Sequence, residues 1–161
     1  MLIVVAPLGD EIIGKYQFER YCENAREVKI YATIPVGEDL YTPDGTWRLS
    51  VRPVPREELV RLNKFAESMI RWDRGPLTPP QVPGAILIHE HQEKLYDART
   101  GRLLAEYKIY SNSGGWLKRT FGTGAAIGGF MIRQQCFPSI VQENRLMESL
   151  LPYSGGKERG K

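Results

Sequence analysis

The stretch Val82–Ser111, VPGAILIHEHQEKLYDARTGRLLAEYKIYS, decides how the chain is read. Residues alternate before a turn signal, Asp97-Ala98-Arg99-Thr100-Gly101-Arg102, and β-prone residues follow it. Glycine at the fifth place accepts the positive φ that closes such a loop, and Asp97 is suited to accept hydrogen bonds from nearby backbone amides. The pattern predicts a β-hairpin. With Ala98–Gly101 as the loop, Asp97 faces Arg102, and the ladder pairs Tyr96 with Leu103, Glu93 with Glu106, His91 with Lys108 and His89 with Tyr110. Side chains alternate with period two, so this register gathers Leu87, His89, His91, Glu93 and Leu95 on one face with Leu104, Glu106, Lys108 and Tyr110.

Upstream, Leu2–Ala6 reads as a short buried strand, and Asp10 is placed to cap a helix running to about Asn24 with Ile12, Ile13, Tyr16 and Phe18–Cys22 on its apolar side. Gly14 weighs against that helix. Val28, Ile30 and Ala32 alternate with Lys29, Tyr31 and Thr33, which predicts a second strand over Glu27–Pro35. Thr42-Pro43-Asp44-Gly45 is a strong turn signal, and Trp47, Leu49 and Val51 alternate with Arg48, Ser50 and Arg52 as a half-buried strand with a basic outer face. Leu59, Leu62, Phe65, Ala66, Met69 and Ile70 recur at helical spacing, so Pro55–Trp72 is predicted as an amphipathic helix with proline in its first turn. The proline-rich run to Pro83 reads as an extended connector.

Downstream of the hairpin, a Ser/Gly loop leads into WLKRTFGTGAAIGGFMIRQQCF, read as a close-packed helix ending near Pro138. A last helix is expected from Ser139 to Leu151, before Pro152. Together these patterns predict one α+β domain over residues 1–161, with a mainly antiparallel sheet, two hairpins and three to four packed helices. Residues 153–161 are expected to form a flexible basic tail.

An apolar share of 42% with 25% charged residues is ordinary for a folded domain and excludes a fibre or wholesale disorder. The net charge of +3 is too small to imply nucleic acid by itself. It is uneven, however: Ser113–Lys161 holds seven basic and three acidic residues, a net +4, which leaves −1 for the rest. The first residues are apolar for too short a run to span a bilayer and lack a basic leader, so a cytoplasmic protein without membrane contact is expected. Cys22 and Cys136 lie far apart, without the spacing of a zinc or redox motif, and are expected to be reduced core residues.

Three constellations carry chemistry. His89 and His91 stand roughly 7 Å apart on one strand face, a spacing from which two imidazoles converge on one divalent ion, with Glu93 or Glu106 completing the shell. Lys108, facing His91 in this register, opposes a cation there. Trp116-Leu117-Lys118-Arg119 interleaves an aromatic ring with basic residues, a composition that stacks on bases and neutralises phosphates; Arg48 and Arg52 add to it. Gly122–Gly129 is similar to a dinucleotide-binding glycine fingerprint, but no buried strand precedes it, and close helix packing explains the small residues.

Gly84, His89 and His91 resemble the cupin metal motif, which implies a bound metal; the glycine spacing is one residue short, the glutamate falls at Glu93, and the chain has no third histidine. From Pro55 to Ala105 the order of helix, strand and arginine-containing turn resembles the ParB/sulfiredoxin fold. Ala98, Arg102 and Ala105 match that family's phosphate-binding box, whose glycine and glutamate are absent here. Neither likeness covers enough of its motif to assign a family.

The leading expectation is therefore a small, cytoplasmic, non-catalytic binding or regulatory protein without a cofactor, acting through a protein or nucleic-acid partner by Arg48, Arg52, Trp116, Lys118 and Arg119. The alternative is a metal-dependent enzyme, a hydrolase or nuclease, using a divalent metal such as zinc on His89, His91, Glu93 and Glu106.

Overall fold

The computed structural model describes residues 6–51, 53–76, 78–115, 135–142 and 145–154. Most of the expected first strand, residues 116–134 of the expected glycine-rich helix and residues 155–161 of the expected tail lie outside these. At the expected end of that helix Gln135–Cys136 form a strand, and of the residues expected in the flexible tail, Tyr153 bridges to Val36 and Ser154 donates to Val36 O. In chain order the described elements are α1 (Ala6–Asn24), β1 (Lys29–Ile30), α2 (Arg56–Met69), β2 (Ile70–Asp73), β3 (Gln81–Val82), β4 (Ile88–Asp97), β5 (Leu103–Asn112), β6 (Gln135–Cys136), α3 (Ser139–Gln142) and α4 (Leu146–Leu150). The strands form an antiparallel sheet in the order β1-β5-β4-β2, with β3 added to β4 and β6 to β5. Helices beside an antiparallel sheet make this an α+β arrangement.

The central hairpin closes as its turn chemistry requires. Asp97 N–H donates to Arg102 O at 2.9 Å, Gly101 N–H returns to Asp97 O at 2.8 Å, and Gly101 adopts φ 72°. The Asp97 carboxylate accepts the backbone N–H of Arg99 at 2.9 Å. That bond, with others from Thr100, holds the carboxyl below its ordinary value.

Further along, the strands fall one residue out of step with the expected ladder. Ser113 N–H donates to Leu87 O, so ten residues separate Leu87 from Asp97 while eleven separate Arg102 from Ser113. The extra residue lies in β5, where adjacent Leu104 and Ala105 are both fully buried although strict alternation exposes one of them. A β-bulge does this, and it turns every later side chain of β5 to the opposite face.

Contacts divide the chain into two compact units. The first draws on residues within 1–28, 74–93 and 107–139, and the second on 29–73, 94–106 and 140–161. In the first unit, Phe18, Ala25, Ile86, Ile88, Tyr110 and Cys136 form a buried cluster, with Tyr21, Cys22 and Val82 packed on it. Gly14 belongs to this packing, because a Cβ there would collide with the Ile86 side chain. The glycine that weakens the helix by propensity is what lets α1 approach the chain ahead of β4.

Cys22 and Cys136 are joined as a disulfide, which corrects the expectation of two reduced cysteines. Pairing of β6 with β5 sets Cys136 opposite Tyr110. The shared core then brings the Cα atoms of the two cysteines to 5.6 Å, inside the range a disulfide spans.

In the second unit α2 begins after Pro55, carries Glu57 and Glu58 in its first turn, and buries Leu62 and Ala66. It ends three residues earlier than its periodicity suggests, because Ile70–Asp73 leave the helix and pair with Asp97–Lys94. Ile70 and Trp72 suit a strand, and Ile70 is buried there.

The expected second hairpin is reduced to its turn. Gly45 has φ 84°, its N–H donates to Thr42 O at 2.9 Å, and the Asp44 carboxylate accepts the hydroxyls of Thr42 and Thr46. Tyr41 and Trp47 make one isolated bridge, and the chain turns again at Arg48–Ser50. Ser50 accounts for that turn, since its N–H and hydroxyl both donate to Trp47 O.

The expected strand over Glu27–Pro35 is likewise shorter in the sheet. Only Lys29–Ile30 pair with β5, whereas Ile34 and Val36 donate to Leu150 O and Pro152 O. The last helix is broken into α3 and α4, and Leu146, Leu150 and Leu151 are buried. Tyr41 ties this end together: its hydroxyl donates to Leu151 O at 2.9 Å, and its ring lies 5.0 Å from Trp47 and 5.2 Å from Tyr153.

Candidate functional site

Beyond the bulge, the hairpin presents two chemically different faces. On the face of Ile88, the Glu90 carboxylate accepts the Tyr110 hydroxyl at 2.7 Å and pairs with Lys108 Nζ at 2.9 Å. Burial alone raises a carboxyl, but the bonds from Lys108 and Tyr110 and the lysine charge outweigh it and hold Glu90 below its ordinary value. The same contact, added to burial, pushes the Tyr110 phenol well above its own ordinary value. The Tyr110 ring lies 5.2 Å from that of Tyr21 on α1.

Alternation puts His89, His91 and Glu93 on the other face. There His91 Nε2 and Ser111 Oγ are 3.0 Å apart in a hydrogen bond. Glu93 and Tyr107 are buried. Burial, then the negative charge of Glu93, raises the Tyr107 phenol, and Arg74 opposes them. His89 Nδ1 is buried and has no hydrogen-bond partner among the described residues.

This geometry changes the expected metal shell. Lys108 does not face His91; it pairs with Glu90. Glu106 belongs to the second unit, where it accepts the Tyr31 hydroxyl at 2.6 Å and pairs with Lys29 at 3.8 Å. His91 spends one ring nitrogen on Ser111. Among the described residues no three His, Cys, Asp or Glu side chains are grouped to hold a metal ion.

Of the expected partner contacts, Arg48 is held within the second unit: Nη1 donates to Glu38 O at 3.2 Å, and Nη2 lies 3.9 Å from Glu58. Arg52, Trp116, Lys118 and Arg119 lie outside the described residues.

Ile12, Ile13 and Tyr16, expected on the apolar side of α1, do not face the core. They are exposed, by 42%, 53% and 69%. The stripe that faces the core is Gly14, Phe18 and Ala25, with Tyr21 and Cys22 beside it. The signal was present in the spacing, because Ile12, Ile13 and Tyr16 fall outside the arc that Gly14 and Phe18 define at 3.6 residues per turn. Glu19, Arg20 and Glu23, also exposed, continue this outer side toward the helix C-terminus.

The chain matches no family model, and comparison with curated proteins and with solved structures gave no match. No helix among the described residues is long and apolar enough to cross a membrane.

Proposed function

We propose that this protein is a non-catalytic binding protein that acts through a protein partner, docked on the outer side of α1. The observation that carries this reading is the exposed group Ile12, Ile13 and Tyr16, three large apolar side chains within two turns of one helix. Leaving such a group in water forgoes about 25 cal/mol for each Å² that a partner would cover, and clustered exposed apolar residues mark interaction sites. Glu19 and Glu23 lie one and two turns further on, with Arg20 between them. The fitting occupant is a protein with an apolar cleft and basic groups on the rim that meets those carboxylates.

The polar groups of the hairpin support the non-catalytic part. Glu90, His91, Asp97 and Glu106 are each engaged in bonds that hold turns and strands together. As for place of action, disulfides form and persist chiefly in oxidising compartments and are rare in a reducing cytosol. The Cys22–Cys136 bond favours an oxidising compartment over the cytoplasmic setting expected from sequence.

A photo-crosslinking amino acid at Tyr16, compared with the same label at exposed Arg61 on α2, tests the docking surface. The reading expects a defined protein adduct from position 16, absent from position 61 and lost when Ile12→Glu and Ile13→Glu are introduced. Equal adducts from both positions, or no adduct, would overturn it. So would salt-sensitive binding of a labelled single-stranded oligonucleotide that survives those substitutions but weakens in Lys118→Ala/Arg119→Ala, which is the nucleic-acid alternative.

A further inference from the structure

The disulfide joins two sulfurs in unequal surroundings. Cys136 sits on β6 at 2% exposure, inside the cluster of Phe18, Ile86, Ile88 and Tyr110. Cys22 is only half-buried, on the last turns of α1, a helix whose next residues Glu23 and Asn24 are in solvent. The pair closes 114 residues of chain, and α1 is otherwise held to this unit by packing and by contacts such as the Tyr21 hydroxyl on Pro83 O at 3.0 Å. Separation in sequence and the lack of a Cys-x-x-Cys spacing mean that the cysteines cannot find each other locally; the folded core aligns them.

We propose that this protein is a client of a dithiol–disulfide oxidoreductase, and that exchange enters and leaves through Cys22. In formation, the Cys22 thiolate attacks one sulfur of the oxidant's disulfide, that bond breaks, and the oxidant's second sulfur leaves as a thiolate. The Cys136 thiolate then attacks Cys22 in the mixed disulfide, the Cys22–Cys136 bond forms, and the oxidant departs as a dithiol. Two protons and two electrons pass from the cysteine pair to the oxidant, so the step balances. In reduction a dithiol attacks Cys22 and Cys136 leaves as a thiolate; the reductant's second thiolate then attacks the first in the mixed disulfide, and Cys22 leaves. The attack falls on Cys22 because it is the less buried residue of the pair. This inference is independent of the docking surface on α1, since it concerns the sulfurs alone.

The test uses the full chain. Native protein is first alkylated without reductant, and no free thiol is expected. It is then reduced under native conditions and pulsed with iodoacetamide, and Cys22 is expected to be modified about tenfold faster than Cys136. With glutathione disulfide as the probe, Cys136→Ser is expected to form the mixed disulfide at Cys22 about tenfold faster than Cys22→Ser forms it at Cys136, with the difference erased in denaturant. Two alkylatable thiols in the native protein, or a Cys136 that reacts as fast as Cys22 in the reduced native chain, would overturn the proposal. The alkylation of native protein keeps the proposal falsifiable if either variant fails to fold.

Discussion

The two units solve the same problem by different means. In the first, a covalent bond ties α1 to β6, and the core beneath it is the small cluster of Phe18, Ala25, Ile86, Ile88, Tyr110 and Cys136. In the second there is no disulfide among the described residues; burial of Leu40, Leu62, Ala66, Leu95, Leu104, Leu150 and Leu151 and the Tyr41 ring contacts hold it. The difference teaches where each is vulnerable. Redox conditions act on the first unit, whereas the second answers to loss of packed volume.

The largest effect is expected from the bond itself. Replacing both cysteines by serine frees a loop of over a hundred residues in the unfolded chain and should lower stability by about 4 kcal/mol, read from urea unfolding. A loss below about 1 kcal/mol would break the comparison. Next comes Leu150→Ala in the second unit, where the side chain is fully buried. A cost of about 3 kcal/mol is expected, unchanged by reductant. Gly14→Ala sharpens the account of the first unit: the methyl meets Cγ2, Cγ1 and Cδ1 of Ile86, and a loss of about 2 kcal/mol should shrink in an Ile86→Ala background, which removes all three atoms. An equal loss with and without the second substitution would show that the close approach is not the cause.

The smallest effect is electrostatic. Glu90 is held below its ordinary value in the fold, so its contribution is present above the unfolded carboxyl range and is lost as pH falls through the folded value. Tyr110→Phe removes one of the bonds responsible. The variant should therefore lose about 1 kcal/mol at neutral pH, and its gap to the native protein should narrow as pH falls through the folded value of Glu90. A gap that widens in acid would contradict the role given to Glu90.

What could be read from sequence was local chemistry. The Asp97–Gly101 turn, the start of α2 after Pro55 and the turn at Thr42–Gly45 form as their residues dictate. The bulge in β5 left no mark in the alternation, because Leu104-Ala105 reads equally well as part of a regular β-prone run. One inserted residue was enough to move Lys108 and Tyr110 away from the histidine face and to leave Ser111 beside His91. The disulfide was hidden for a different reason: two cysteines 114 residues apart meet only once β6 lies against β5 and α1 packs on both. Gly14 was read by propensity alone, and the close approach to Ile86 that explains it is tertiary.

Hydrogen–deuterium exchange of the full chain, with and without a dithiol reductant, tests the contrast between the units most directly. Reduction is expected to raise exchange in residues 6–24, 81–93 and 135–139, while 56–73, 94–106 and 145–151 keep their protection. Exchange that rises equally in both sets, or in neither, would contradict the claim that the Cys22–Cys136 bond fastens the first unit.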